Sequence, residues 1–181
     1  MKPVDNNFRI KGEKIYLRPI TAGDTGVVLG WRNAPDVVNN FIYRKKISEQ
    51  EHMDWLENKV FKGYVHQFVI CFAEDDTPLG SVYIQNFDED SRKAEWGLFL
   101  GSDAARSKGI GTETGRLILD YAFGGLGLHK LTSRVLAHNK PCIRMNEKLG
   151  YRQEAYLRDE LLINGKYEDL ILYGALEGDI R

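Results

Sequence analysis

Seven consecutive residues combine two glycines with two cations in a pattern that could bind a phosphate group. They are Arg106, Ser107, Lys108, Gly109, Ile110, Gly111 and Thr112. Glycines let the backbone approach a phosphate closely, and the free N–H groups at a helix start attract an anion. The two basic side chains could pair with a pyrophosphate. The glycines alone are explained equally well by a turn with solvated cations beside it.

Two better-known phosphate-binding patterns do not fit this segment. A P-loop would require a Gly-Lys-Ser/Thr ending, which is missing here. A Rossmann fold would place an acidic ribose contact about 20 residues after the loop, near Leu131, where the sequence has no acidic residue. The segment therefore predicts an anion site of another kind, at the step from a strand to a helix.

Hydrophobic periodicity and turn signals place this loop in a mixed α/β fold. Strands are predicted over residues 15–20, 67–73, 79–87, 94–100 and 130–136, with two more around the Asn164-Gly165 turn. Helices are predicted over 21–31, 48–61, 109–123 and 140–149, the first two behind capping boxes and the last ended by Gly150. Pro35 predicts a break after the first helix. The order differs from regular βαβ alternation, which disfavours a doubly wound dinucleotide fold.

Composition and charge exclude several classes of protein. The 181 residues match one domain, which we place at 1–181, and 25 Lys plus Arg against 26 Asp plus Glu give no basic face for nucleic acid. Cys71 and Cys142 lack a partner pattern, and the four histidines lack zinc-site spacing. No stretch approaches the roughly 18 apolar residues of a membrane span. We expect a soluble, cytoplasmic protein without a metal.

Two motifs at a characteristic separation resemble the GNAT superfamily of acyl-CoA N-acyltransferases. Arg106, Gly109 and Gly111 are similar to its pyrophosphate loop, Arg-x-x-Gly-x-Gly. Residues 139–151 are similar to its Asn-led helix, which ends in Lys-Leu-Gly-Phe/Tyr. The likeness extends from Tyr16 to Tyr173 and covers nearly the whole chain. It implies a mostly antiparallel sheet of about seven strands flanked by helices, with acetyl-CoA as cosubstrate.

The resemblance also implies which residues contact acetyl-CoA. The strand that carries Leu98 would splay from its neighbour, and a backbone N–H there would stabilise the oxyanion of the tetrahedral intermediate. As a side chain, Leu98 is expected in the core. The implied contacts are Leu98, Phe99, Leu100, Arg106, Ser107, Lys108, Gly109, Ile110, Gly111, Thr112, Asn139, Asn146 and Lys148. Asn139 could equally be a helix N-cap.

Glu95 is the candidate general base, because an ammonium substrate must lose a proton before it can attack. Alternation along its strand puts Glu95 on one face with Gly97 and Phe99, although a solvated surface charge is an equal alternative. Asn146 occupies a position where many members of the superfamily have a tyrosine acid. Cys142 is expected to be a small packed residue. No Ser-His-Asp or Cys-His constellation suggests a covalent intermediate.

The acceptor is the least defined part of the reaction. Residues 31–33 and 48–52 resemble the branch that acetylates nucleotide-linked amino sugars, and Arg32 could pair with a diphosphate. The candidate acceptor residues are Arg18, Trp31, Arg32, Asn33, Tyr43 and His52. Core packing for the tryptophan and a surface position for His52 are the commoner alternatives. An N-terminal acetyltransferase of ribosomal or other proteins and a non-catalytic acyl-CoA-binding module remain open, as does a homodimer.

Overall fold

An eight-stranded, mostly antiparallel sheet forms the centre of the molecule. The structure is a computed structural model that describes residues 1–101 and 108–179. The spatial order of the strands is β1-β2-β3-β4-β5-β6-β8-β7, and β5 and β6 are parallel. The strands are β1 (Ile10–Lys11), β2 (Ile15–Pro19), β3 (His66–Phe72), β4 (Pro78–Asp88), β5 (Lys93–Leu100), β6 (Lys130–Leu136), β7 (Arg152–Ile163) and β8 (Lys166–Leu176).

Helices cover both faces of this sheet. They are α1 (Thr25–Arg32), α2 (Pro35–Val38), α3 (Glu49–Trp55), α4 (Ile110–Asp120) and α5 (Lys140–Lys148). A short 3-10 turn precedes α1, and π-helical turns extend α3 to Val60 and α4 to Gly125. The start of α3 is fixed by Ser48, whose hydroxyl accepts from the Glu51 N–H while the Glu51 carboxylate accepts from the Ser48 N–H.

Alternation along β5 divides its side chains between two apolar clusters. Ala94 and Trp96 pack with α4 in the larger cluster, on what we call the α4–α5 face. Phe99 packs with residues of α1, α2 and α3 in the second cluster, on the α1–α3 face. A third, smaller cluster lies on the α1–α3 face beside β6, β7 and β8 and is built around Leu136 and Leu170. Burial on both faces is what fixes the register of the central strands.

The fold class predicted from the sequence is confirmed, with local differences. The sheet has eight strands instead of about seven because the two-residue β1 pairs with β2. The break predicted at Pro35 is confirmed: α1 ends at Arg32, and a new helix, α2, begins at Pro35, where the missing N–H needs no partner. The Asn164-Gly165 turn is confirmed, with φ of 52° and 78°.

Candidate functional site

The parallel pairing between β5 and β6 ends early and leaves a gap between the two strands. Their registered pairs begin at Lys93 with Lys130 and end at Glu95 with Thr132. Beyond this point β5 continues to Leu100 in register with β4, whereas β6 pairs with β8. The splay implied by the sequence resemblance is therefore present in the structure.

Backbone direction determines which groups of β5 face this gap. The Ala94 carbonyl points towards β6, because it accepts a hydrogen bond from the Thr132 hydroxyl at 3.0 Å. The Gly101 N–H points the other way, to a β4 carbonyl at 2.9 Å. Since direction alternates along a strand, the N–H and C=O groups of Leu98 and Leu100 face the gap. They can bind an extended ligand arm there, and the Leu98 N–H can meet an oxyanion.

Phe99, between Leu98 and Leu100, does not present its backbone groups to the gap. Its backbone groups face β4, where it pairs in register with Ser81. Its side chain is 7% exposed and packs against Phe41, with ring centres 5.6 Å apart. Phe99 presents no backbone group to the gap, because the alternation that opens its neighbours to the gap directs its own groups to β4. Its predicted contact with the cofactor stays a prediction.

The start of α4 presents free backbone donors. Gly109 is the N-cap with φ of 80°, a left-handed conformation that glycine adopts without strain. The first helical bond runs from the Glu113 N–H to the Gly109 carbonyl at 3.0 Å. The N–H groups of Ile110, Gly111 and Thr112 precede it and have no partner within the helix. These donors lie where the sequence placed the phosphate contacts.

Three polar residues, Arg106, Ser107 and Lys108, precede the N-cap glycine of α4. Lys108 is exposed, and its ammonium lies 5.5 Å from the centre of the Phe72 ring at the end of β3. Arg106 and Ser107 fall outside the residues that the structure describes. The predicted contacts of these two residues stay predictions.

Helix α5 closes the other side of this region. A Cβ atom on Gly111 would lie 3.2 Å from the Met145 sulfur of α5 and 3.8 Å from a methyl group of Leu100. The start of α4, the middle of α5 and the end of β5 therefore meet at Gly111. The gap and the free amides of α4 form one continuous candidate site.

The residues predicted on α5 serve mainly to build the helix. Asn139 is the N-cap, and its side chain accepts from the Cys142 N–H at 3.2 Å. Asn146 is fully buried and donates to the Cys142 carbonyl at 2.9 Å, while its Oδ1 has no partner in the described ranges. Burial raises the pKa of Cys142 to about 11, as expected of a packed thiol. Lys148 is exposed in the last turn, where a cation stabilises the helix end.

Glu95 lies at the origin of the gap and is held there by two neighbours. Its carboxylate accepts from Arg134 of β6 at 2.9 and 3.0 Å and from the Gln85 amide at 3.3 Å. The register of β4 and β5 places Glu95 on the α1–α3 face with Gly97 and Phe99, as alternation predicted. The side chain is 16% exposed, so it is neither a solvated surface charge nor a free carboxylate.

Arg32 is not available to bind a diphosphate. The residue is 6% exposed, its guanidinium carbon lies 3.9 Å from the centre of the Phe41 ring, and Nη2 donates to the Tyr43 carbonyl. Nη1 is buried without a hydrogen-bond partner among the residues described. The prediction of an accessible cation is wrong because the segment after α2 folds over it. Arg32 instead fixes the path of that segment.

Two further acceptor candidates are occupied by contacts within the fold. Arg18 forms a two-point ion pair with Asp24 at 2.6 and 2.9 Å, and this pairing raises the pKa of the guanidinium above its usual range. Asn33 donates to the Ile47 carbonyl and accepts from the Ile47 N–H, each at 2.9 Å. Both side chains shape α1 and its surroundings rather than an open pocket.

The two aromatic-ring candidates on the helices also pack internally. His52 is 6% exposed, and its Nδ1 lies 3.1 Å from the Thr25 hydroxyl, so the surface position is wrong for it, and its acceptor contact stays a prediction. Trp31 covers the backbone at the end of β5: a Cβ on Gly101 would lie 1.8 Å from its indole ring. Its packing role is the one that the structure supports. Of the acceptor candidates, Tyr43 is the accessible one at 55% exposed.

The segment of residues 39–46 crosses the gap on the α1–α3 face. On one side Phe41 contacts Phe99 of β5. On the other side Arg44 forms an ion pair with Glu168 of β8, in which Nη2 lies 3.5 Å from Oε1. Because β6 lies between β5 and β8, this segment passes over the strands that flank the gap. It forms one wall of the space from which an acceptor would reach the gap, a role that the sequence did not predict.

Comparison with known proteins agrees with this geometry. A family model described as an acetyltransferase (GNAT) domain matches residues 14–152. The probable N-acetyltransferase YjcK of Bacillus subtilis is 31% identical, over 94% of this chain and 98% of its own length. A spermidine N(1)-acetyltransferase of Escherichia coli is 28% identical, over 87% of this chain and 83% of its own length.

A solved structure shows the same fold. Spermidine N-acetyltransferase from Vibrio cholerae, in complex with CoA and spermine, superposes with a TM-score of 0.86 at 23% identity, covering 93% of this chain and 98% of that one. In the ranges described here, no helix combines the length and apolar character needed to cross a membrane. The family match, the YjcK likeness and the splayed strands lead to one conclusion: this chain belongs to the GNAT family of acetyltransferases.

Proposed function

We propose that this enzyme transfers the acetyl group of acetyl-CoA to a primary amine by direct attack within a ternary complex. The observation that carries the proposal is the gap after Glu95, with the Leu98 N–H facing into it and a carboxylate at its origin. A thioester lying in the gap would have its carbonyl oxygen near the Leu98 N–H. An amine arriving from the α1–α3 face would meet Glu95.

Each group then has a defined task. The Leu98 N–H stabilises the negative charge that develops on the carbonyl oxygen. Glu95 accepts the proton that the ammonium must lose, and Arg134 keeps the carboxylate oriented. The free amides of residues 110–112 contact the pyrophosphate. Cys142 is a poor covalent nucleophile because burial raises its thiol pKa, which supports direct attack.

For the acceptor we propose a nucleotide-linked amino sugar, with spermidine as the second candidate. Loss of Arg32 as a diphosphate contact leaves Arg134, whose side chain is 41% exposed beside the gap, as the cation best placed for an anionic acceptor. Each of these charges is already engaged, since Arg134 pairs with Glu95 and Arg44 with Glu168, so an anionic acceptor and a polyamine alike would have to compete with an ion pair. The spermidine acetyltransferases among the relatives favour the second candidate.

Release of free thiol from acetyl-CoA with a panel of amines tests both proposals. The panel contains a UDP-linked amino sugar, spermidine and a peptide with a free amino terminus, and each product is checked by mass. We expect the sugar to give the highest kcat/KM, by at least about tenfold, with a KM that rises with salt because the phosphate attraction is screened.

The other outcomes of this assay are equally informative. Acetylation of spermidine or of the peptide, with none of the sugar, would reject the sugar as acceptor and leave amine acetylation intact. Binding of acetyl-CoA without thiol release for any amine would instead identify a non-catalytic acyl-CoA-binding module.

A further inference from the structure

One tyrosine at the gap has no assigned task. Tyr83 of β4 pairs in register with Gly97 of β5, and its ring extends across the neighbouring strand. A Cβ atom on Gly97 would lie 2.5 Å from the Tyr83 hydroxyl and 2.7 Å from the ring carbon that bears it. The hydroxyl therefore lies directly over Gly97, one residue before the Leu98 N–H that faces the gap. A side chain at position 97 would displace it.

The charges around Tyr83 place its hydroxyl between the two halves of the site. On the α1–α3 face it lies within electrostatic range of Glu95 and the arginines 32 and 134. It also lies within range of Cys142, on the helix that closes the other side of the gap. The ring packs against the second apolar cluster, and the hydroxyl lies over Gly97 beside the gap.

This hydroxyl is free to bond a ligand. It makes no hydrogen bond to another residue in the described parts of the chain. Burial and the nearby Glu95 carboxylate raise the pKa of Tyr83 to about 12. The guanidinium groups of Arg32 and Arg134 lower this pKa, but their effect is smaller. The phenol stays protonated at neutral and moderately alkaline pH, so it can donate a hydrogen bond.

The departing sulfur is the group at the gap that most needs a donor. The thioester oxygen would already be served by the Leu98 N–H. Asn146 of α5 is not placed to serve the sulfur, because it is fully buried and its amide nitrogen donates to the carbonyl and the sulfur of Cys142, at 2.9 and 3.5 Å. A thiolate is a charged acceptor, and hydrogen bonds to charged groups are stronger than neutral ones.

We propose that the Tyr83 hydroxyl donates a hydrogen bond to the sulfur of CoA and stabilises it as it departs. The inference rests on the proposed acetyl transfer. In that step the amine nitrogen forms a bond to the carbonyl carbon, the carbon–sulfur bond breaks, and the electron pair of that bond stays on sulfur. The proton lost by the amine goes to Glu95. Tyr83 keeps its own proton throughout, because the phenol is a weaker acid than a thiol.

A binding measurement tests this contact without knowledge of the acceptor. Calorimetry compares CoA with desulfo-CoA, which carries hydrogen in place of the thiol, at pH 7 and pH 9.5. A free thiol has a pKa of about 8.5, so the sulfur is mainly thiolate at the higher pH. We expect the wild type to prefer CoA by about tenfold at pH 9.5 and by less at pH 7. Tyr83→Phe should lose that preference while binding desulfo-CoA normally.

Two further variants make the test specific. Tyr16→Phe removes a hydroxyl that bonds Asp76 at 2.9 Å on β2, away from the gap, and should leave the CoA preference unchanged. Gly97→Ala crowds the Tyr83 hydroxyl and should reduce the preference even if the phenylalanine variant folds poorly. With any amine that the wild type acetylates, Tyr83→Phe should lower kcat about tenfold and leave the KM for acetyl-CoA unchanged.

The inference fails if the wild type shows no preference for CoA at pH 9.5, or if Tyr83→Phe keeps it. A variant that keeps the preference but raises the KM of the amine would place Tyr83 on the acceptor and also overturn the assignment to sulfur. The binding results do not depend on turnover by the wild type, so they are distinguishable from failure of the proposed acetyl transfer itself.

Discussion

The guanidinium of Arg134 bridges the two diverging strands by donating two hydrogen bonds to Glu95, Nε to Oε2 at 2.9 Å and Nη2 to Oε1 at 3.0 Å. Glu95 belongs to the last registered pair between β5 and β6, and Arg134 lies two residues beyond its partner in that pair, Thr132. It fixes the orientation of the carboxylate where the gap opens. Arg134 of β6 therefore positions Glu95, the candidate base on β5.

Replacement of Glu95 by Gln should lower kcat by about 100-fold or more, because the amide cannot accept the proton of the attacking amine. The affinity for acetyl-CoA, measured by calorimetry, should change little. Glu57→Gln alters an exposed glutamate on the turn after α3 and serves as the control. Turnover at the wild-type level in Glu95→Gln would show that the carboxylate is only a structural charge.

Substitution of Gly111 by Leu should weaken acetyl-CoA binding by at least about tenfold. The new side chain would enter the space between Met145 and Leu100, beside the free amides of α4. Gly124→Leu is the matched control, since a side chain there meets no atom within 4 Å. Circular dichroism confirms folding, and titration calorimetry gives the affinity. Equal affinity in a correctly folded Gly111 variant would rule out this placement of the pyrophosphate.

Arg32→Ala should act on stability rather than on electrostatic recognition of an acceptor. It removes the contact with Phe41 and the bond to the Tyr43 carbonyl, and we expect the free energy of unfolding to fall by about 3 kcal/mol. Chemical denaturation measures this loss, with the exposed Arg116→Ala as control. A variant of unchanged stability, with a salt-sensitive increase in acceptor KM, would restore Arg32 as a phosphate contact.

The free energy of unfolding should fall as the pH drops below about 6.5, partly because of His66. This residue is 3% exposed, with Nδ1 2.9 Å from the Tyr121 hydroxyl and Nε2 2.9 Å from the Lys2 carbonyl. Burial lowers the pKa of His66. Below the pKa of the unfolded chain, about 6.5, the unfolded state binds a proton that the folded state does not. Stability is therefore retained above that pH and lost as the pH falls.

Urea unfolding at pH 8 and pH 5.5 measures this dependence. A single such site contributes up to about 1.4 kcal/mol per pH unit, so His66→Gln should show a shallower loss than the wild type. His52 has a pKa lowered by burial as well, so part of the dependence should remain. The exposed His129→Gln should follow the wild type. An identical slope in His66→Gln and the wild type would contradict the assignment.

Local patterns in the sequence determined the secondary structure and the family. The capping box at Ser48, the Asn164-Gly165 turn and the glycine pair at 109 and 111 each act through neighbouring residues, and each appears as expected. Alternation alone also placed Glu95 on the correct face of β5. These features follow from hydrogen bonds and backbone preferences that span only a few residues.

Contacts between residues far apart in the sequence determined which charged side chains are buried or paired, and local patterns could not predict this. Arg32 is an exposed or a buried cation depending on where residues 41–43 fold, and Glu95 is free or paired depending on a residue 39 positions later. The place of Tyr83 over Gly97 was also missed, although an aromatic residue opposite a mid-strand glycine is a signal that could have indicated it. Burial and ion pairing depend on the packing of whole elements, and for that reason only the tertiary structure determined them.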